Sequence, residues 1–304
     1  MDSELSYWTV LAAANRWALY ALMLITSGSA LFAVLTPLPQ RLRDAASAVG
    51  QPTSLLAAFS FLASVGLGGS EMMAGGPETL WSPDTWSLAA STSLGHSAAL
   101  GVPAMLILWG GHRWQLRPLW LSGALGGIAS FLLTGHAATT TPTWLAATAV
   151  AVHLAGAAYW IGALYPLHKG LRDLDLVSNA SVIAAFSYRA VVFVSAIVVS
   201  GIVISWIQLA TPQALTSTAY GYRLIAKVGL FALLIALAAY NKLVLTPRIE
   251  RRAPDGARAL RQVIRIEYAL IVLILGAAVS LTLVEPPRAL THILSANGGS
   301  YDLL

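Results

Sequence analysis

Apolar runs of about twenty residues recur along the whole chain, and that is the length a helix needs to cross about 30 Å of hydrocarbon. Eight are present: Trp8–Thr36, Thr53–Met73, Trp86–Trp109, Pro118–Thr139, Trp144–Leu167, Ala184–Leu209, Gly221–Thr246 and Ile264–Val284. In lipid, each backbone N–H and C=O must find its partner inside the protein, so each run is expected to be a helix. The chain is 57% hydrophobic and only 10% charged, against about 25% charged in an ordinary soluble domain. So much apolar surface exceeds what a core of this size buries, and the surplus faces lipid. The expected fold is all-α: a polytopic integral membrane helical bundle with eight transmembrane helices.

Lysine and arginine set the orientation. The connections after the first, third, fifth and seventh runs hold Arg41, Arg43, Arg113, Arg117, Lys169, Arg172, Lys242, Arg248, Arg251, Arg252, Arg258, Arg261 and Arg265. The opposite connections hold only Arg288, while Arg16, Arg189, Arg223 and Lys227 lie within or at the edges of runs. Basic loops stay on the cytoplasmic side, so both termini are expected to be periplasmic. Glu78, Asp84 and the stretches Thr140–Thr143 and Thr211–Ala219 share that outer side. The N-terminal residues Met1–Tyr7 carry no basic segment, so a retained first helix is expected rather than a cleaved signal peptide. One membrane domain is expected over 1–304, with four spans in 1–139 and four in 140–304. No loop is long enough to bury a core of its own, and no Walker-type sequence is present, so neither an enzyme nor an ATP-driven pump is expected. No basic stripe is interleaved with aromatics, which argues against nucleic-acid binding. Membrane lipid is the expected partner, notably the anionic inner leaflet beside the basic loop from Lys242 to Arg261. Oligomeric state is not readable.

Polar residues inside the spans carry the functional argument, because they are costly there and face a bundle interior or a cavity. His96 and His153 are each about nine or ten residues into inward-running helices, which places both imidazoles roughly 13–15 Å deep at about 1.5 Å per residue. His136 belongs near the outer end of the fourth run. His112, His168 and His292 fall in loops or at ends, where solvent satisfies them. Glu71, Met72 and Met73 close the second run at the outer face. A carboxylate and two thioethers suit a soft or borderline cation; thioether favours Cu(I), and imidazole suits copper, zinc or iron. With no cysteine in the chain, thiolate sites are excluded. The metal path so drawn runs from Glu71, Met72, Met73 and His136 at the surface to His96 and His153 at depth. Each of these residues also has a plainer use: a membrane histidine often bonds a neighbouring helix, and adjacent methionines cannot share one helix face. Charged groups invite pairing by depth: Arg16 with Glu71, Lys227 with Glu285, and Asn241 or Lys242 with Glu267.

The stretch Thr134-Gly-His-Ala-Ala, followed by His153-Leu-Ala-Gly-Ala-Ala-Tyr-Trp-Ile-Gly162, resembles the bacterial copper resistance protein D (CopD) family. So do Phe186-Ser-Tyr-Arg-Ala190, Ser200-Gly-Ile-Val-Ile-Ser-Trp206, and the run Tyr220, Tyr222, Arg223, Lys227, Val228. Asn241 with Lys242, and Arg265, Glu267 and Tyr268, continue the pattern, which covers roughly residues 130–285. The N-terminal match is looser, in Arg16, Trp17, Gly28 to Phe32 and Ser91 to Gly95. The resemblance implies an inner-membrane protein that imports or handles copper, Cu(I) or Cu(II), often beside a separate periplasmic copper-binding protein of the CopC type. It makes His136 and His153 the metal-path residues. Where the family commonly has arginine after the third-helix glycine, this chain has His96. Three other uses of such a bundle stay open: haem b held axially by His96 and His153 for electron transfer, copper delivery by an assembly factor, and transport of protons or a small molecule, since His, Glu and Lys also serve proton paths.

Overall fold

The computed structural model describes residues 7–135, 142–170, 176–251 and 256–289. Both termini, His136 and His292 lie outside the described residues. The described chain is helical, with no strand. In order it forms α1 (Tyr7–Leu35), α2 (Gln40–Met73), a short 3-10 turn (Pro77–Trp81), α3 (Pro83–Ala90), α4 (Ser93–Trp114) and α5 (Arg117–Leu132). There follow α6 (Thr143–Gly170), α7 (Leu176–Leu209), the single turn α8 (Ala214–Ser217), α9 (Ala219–Tyr240), a π-helical turn (Asn241–Leu245), α10 (Thr246–Glu250) and α11 (Gly256–Leu281).

Among the described residues, seven helices are long and apolar enough to cross a membrane: α1, α2, α4, α6, α7, α9 with the turns that extend it, and α11. The expected fourth span is shorter than its apolar run. α5 has 16 residues, about 24 Å at the α-helical rise. It ends in tight turns in which Leu133 and Thr134 bond Ser130 and Phe131, and Gly135 adopts a left-handed φ of +64°, a conformation that ends helices and that glycine takes without penalty.

The expected third span also differs. Instead of one helix from Trp86, the chain breaks at Ser91 and Thr92. Their hydroxyls bond the carbonyls of Leu88 and Ala89 at 2.7 Å each, which competes with helix continuation. Thr92 Oγ1 then caps α4 by accepting from Leu94 N at 3.2 Å, as N-cap threonines do. The helix proper therefore begins at Ser93 and runs on to Trp114.

α1 sits at the centre, packed on α2, α5 and α6, and less extensively on α4 and α11. α2 packs on α4, and α4 on α5, while α7 leans on α6 and α9 pairs with α11. Small residues govern the closest approach. A Cβ at Gly28 would lie 1.8 Å from the Ala158 carbonyl oxygen, and one at Gly162 would lie 2.0 Å from Gly28 C. The backbones of α1 and α6 are thus in direct contact, the way helices associate where lipid supplies no hydrophobic drive. α7 and α9 present most of their surface outward, with Val192, Val199, Ile202, Trp206, Val228 and Leu233 all exposed.

Candidate metal path

His153 stands about ten residues into α6, some 15 Å from its start. Its Nδ1 lies 3.2 Å from the Ile197 carbonyl oxygen and 3.2 Å from Ser200 Oγ, both on α7. A carbonyl oxygen only accepts, so Nδ1 carries the proton and donates; in neutral imidazole Nε2 then holds the lone pair. The Ser200 hydroxyl donates to Ala196 O at 2.6 Å, which leaves its lone pairs for His153. Nε2 has no hydrogen bond within the described residues. Metal-ligating histidines are held in this manner, with the second ring nitrogen on a carbonyl. α7 comes this close because Gly156 faces it: a Cβ there would meet Ile197 Cγ1 at 2.7 Å. Lys227 of α9 is near enough to act on His153 electrostatically, and no ion pair joins it to Glu285.

A second group gathers at the end that the charge bias places outside. A Cβ at Gly68 would lie 2.4 Å from Leu94 Cδ1, and one at Gly69 would lie 2.4 Å from Thr85 O, so the start of α4 and the middle of α3 lie against the last turns of α2. His96, in the first turn of α4, therefore sits at the same end as Glu71, Met72 and Met73 rather than near the midplane. All four are exposed. Glu71 accepts from the Thr9 hydroxyl at 2.7 Å, and the Met73 sulfur accepts from Thr85 at 3.0 Å. Arg16 does not pair with Glu71; it donates at 2.6 Å to Oγ1 of Thr282, just past the end of α11.

The structure does not bring His96 and His153 together. α4 packs on α2 and α5, whereas α6 packs on α1 and α7, so the pairing required for axial haem ligation is not formed. Among the described residues, no three His, Asp or Glu side chains are grouped so as to hold a metal ion. His136 lies outside the described residues.

One histidine is placed quite differently from its sequence reading. His112 is fully buried, although it stands two residues from the end of α4. Trp120 Nε1 donates to its Nδ1 at 3.1 Å, so Nε2 carries the proton toward Thr26 O at 3.3 Å and Ser29 Oγ at 3.4 Å. Both ring nitrogens are engaged, which makes His112 a clasp between α1, α4 and α5 rather than a ligand. Its neighbours Thr26 and Ser54 are joined at 2.6 Å, and both bond Gly50 O. The expected Asn241–Glu267 pair is present, at 2.6 Å.

Two family models match the chain. "Copper resistance protein D-like, N-terminal domain" covers residues 5–144, and "Copper resistance protein D" covers 180–281. The chain is 29% identical over 304 residues to "Copper resistance protein D" of Pseudomonas syringae pv. tomato, spanning 91% of this chain and 97% of that protein. It is also 29% identical over 160 residues to "Copper transport protein CutJ" of Bacillus subtilis (strain 168), spanning 51% of this chain and 28% of that longer protein. No solved structure matches.

Proposed function

The chain belongs to the copper resistance protein D family and is a copper-handling multi-pass membrane protein; from that premise we propose that it imports copper from periplasm to cytoplasm through the inner membrane, across eight spans with both termini periplasmic. His153 carries this reading: a half-buried imidazole deep in a span, its Nδ1 fixed by Ile197 O and Ser200 Oγ, its Nε2 without a hydrogen bond among the described residues and so able to ligate.

In this mechanism the exposed group Glu71, Met72, Met73 and His96, joined by His136, captures copper at the outer face. A separate periplasmic CopC-type protein is the natural donor there. Thioether and imidazole without thiolate favour Cu(I) and bind it loosely enough to pass it on. Nε2 of His153 receives the ion at depth. Lys227 lies close by, and whenever it is protonated it discourages residence of the cation and favours release. A conduit needs sites weak enough to leave. Inward passage of a cation is favoured by about 2.3 kcal/mol per charge per 100 mV of membrane potential.

The test is copper content and uptake. Detergent-purified protein loaded anaerobically with Cu(I) and desalted should retain copper in proportion to chain, and the reconstituted protein should take copper into liposomes. Both should fail in His153→Ala. Stoichiometric iron with no copper would overturn the assignment.

A further inference from the structure

Glu267, near the inner end of α11, is the one buried carboxylate among the described residues, at 2% exposure. It stands two residues past Arg265, the last basic residue of α11. One of its oxygens contacts Asn241 Nδ2 at 2.6 Å, while Asn241 Oδ1 is buried without a hydrogen-bond partner. Asn241 opens the π-helical turn Asn241–Leu245, and π turns within helices are frequent at functional positions. Tyr165 of α6 and Tyr268 of α11 share the surroundings of Glu267. The basic groups that α1 and α9 direct at α11 bond its far end, Arg16 on Thr282 and Arg223 on Ser280. Neither Lys242 nor Arg248 of α10 bonds Glu267.

A buried carboxylate with only a neutral partner bears a large desolvation cost while ionised. The protonated acid does not, provided that its O–H finds an acceptor. Asn241 supplies either partner. Its Nδ2 donates to the ionised group, and a half-turn of the amide presents Oδ1, now unpartnered, to the acid's O–H. A contact of 2.6 Å lies within the range of O–H···O bonds and below that of ordinary N–H···O bonds. Oxygen donors of this kind suit a proton rather than a soft copper ion.

We propose that Glu267, with Asn241 as a partner for both of its states, takes up and releases a proton as copper passes, so that copper entry is coupled to proton movement. The proposal rests on the transport reading. Each cycle converts Glu267 carboxylic acid to carboxylate plus a proton and back, with no other change of bonding.

Liposomes carrying the full chain and a lumenal pH dye test it on addition of external Cu(I). Wild type should move copper and change lumenal pH together. Glu267→Gln should retain bound copper as wild type does and lose the pH change. A pH change per copper that is unaltered in Glu267→Gln, or copper entry without one in wild type, would overturn the coupling while leaving copper transport standing. If wild type moves no copper, the transport reading fails, and infrared spectroscopy of the wild-type protein decides the proton site. A carbonyl band of a buried carboxylic acid that titrates with pH supports it, and no such band refutes it. The same wild-type measurement decides the matter if Glu267→Gln does not fold.

Discussion

Gly50 and His112 are shaped to one another: a Cβ on residue 50 would lie 2.3 Å from Nε2 of the imidazole. The ring cannot easily retreat, because Trp120 and Thr26 hold its two nitrogens. Gly50→Ala should therefore cost about 1–3 kcal/mol, the usual penalty for overpacking a filled site, and lower the thermal unfolding midpoint in detergent. Adding His112→Ala should restore part of the loss, since the two sites share one space. An unchanged midpoint in Gly50→Ala would mean that the ring moves aside freely.

His153 and His168 differ in depth, and their alanine variants should differ in kind. His153→Ala should reduce copper uptake by about tenfold or more. His168→Ala, near the end of α6, should stay close to wild type. Ser200→Ala removes one of two partners of Nδ1 and leaves Ile197 O, so its effect should fall short of the roughly 10–100-fold typical when an orienting group is lost. Equal losses in His153→Ala and His168→Ala would remove His153 from the path.

The outer methionines should act on capture rather than on passage. Met72→Leu with Met73→Leu keeps side-chain volume nearly constant, a change that costs packing little. Copper uptake should need a higher concentration for half-saturation, with the maximal rate retained. A lowered maximal rate at unchanged half-saturation would assign these residues to packing.

With no cysteine in the chain, single cysteines report sidedness without background. Asp84→Cys and Trp144→Cys should react with an impermeant thiol reagent from the periplasmic side, and Arg41→Cys and Arg117→Cys should react only after the membrane is opened. Arg117 and Trp144 bracket α5 and the segment after it, so this pair decides whether that segment completes the eighth crossing. Arg117→Cys reacting from outside would reduce the count.

Much of this fold is written in apolar run length. α1, α6, α7, α9 and α11 occur where hydropathy places spans, because lipid leaves the backbone no other option. The errors have local causes. The break at Ser91 and Thr92 depends on two hydroxyls turning back to carbonyls, and hydropathy does not register it; counting from Trp86 therefore puts His96 at depth, whereas it lies in the first turn of α4. His112 sits beside Arg113, which reads as a helix end facing water, and its burial depends on Gly50 across the bundle. The Glu267–Asn241 contact was legible by depth alone. The anchoring of His153 to Ile197 and Ser200 was not, because sequence gives the height of a residue in the membrane but not its direction around the bundle.

At the crossing of α1 and α6, Gly28 and Gly162 leave no layer of side chains between the two backbones. Such a joint has no slack, so helices meeting there move as one piece or not at all. α7 and α9 are the opposite case, with many of their apolar side chains facing out of the bundle. The bundle is closely joined along one flank and outward-facing along the other, and the outward-facing flank carries Ser200 and Lys227, which lie beside His153. The thickness and order of the bilayer thus press on the surroundings of the deep histidine through α7 and α9, while the α1–α6 joint is sheltered from them.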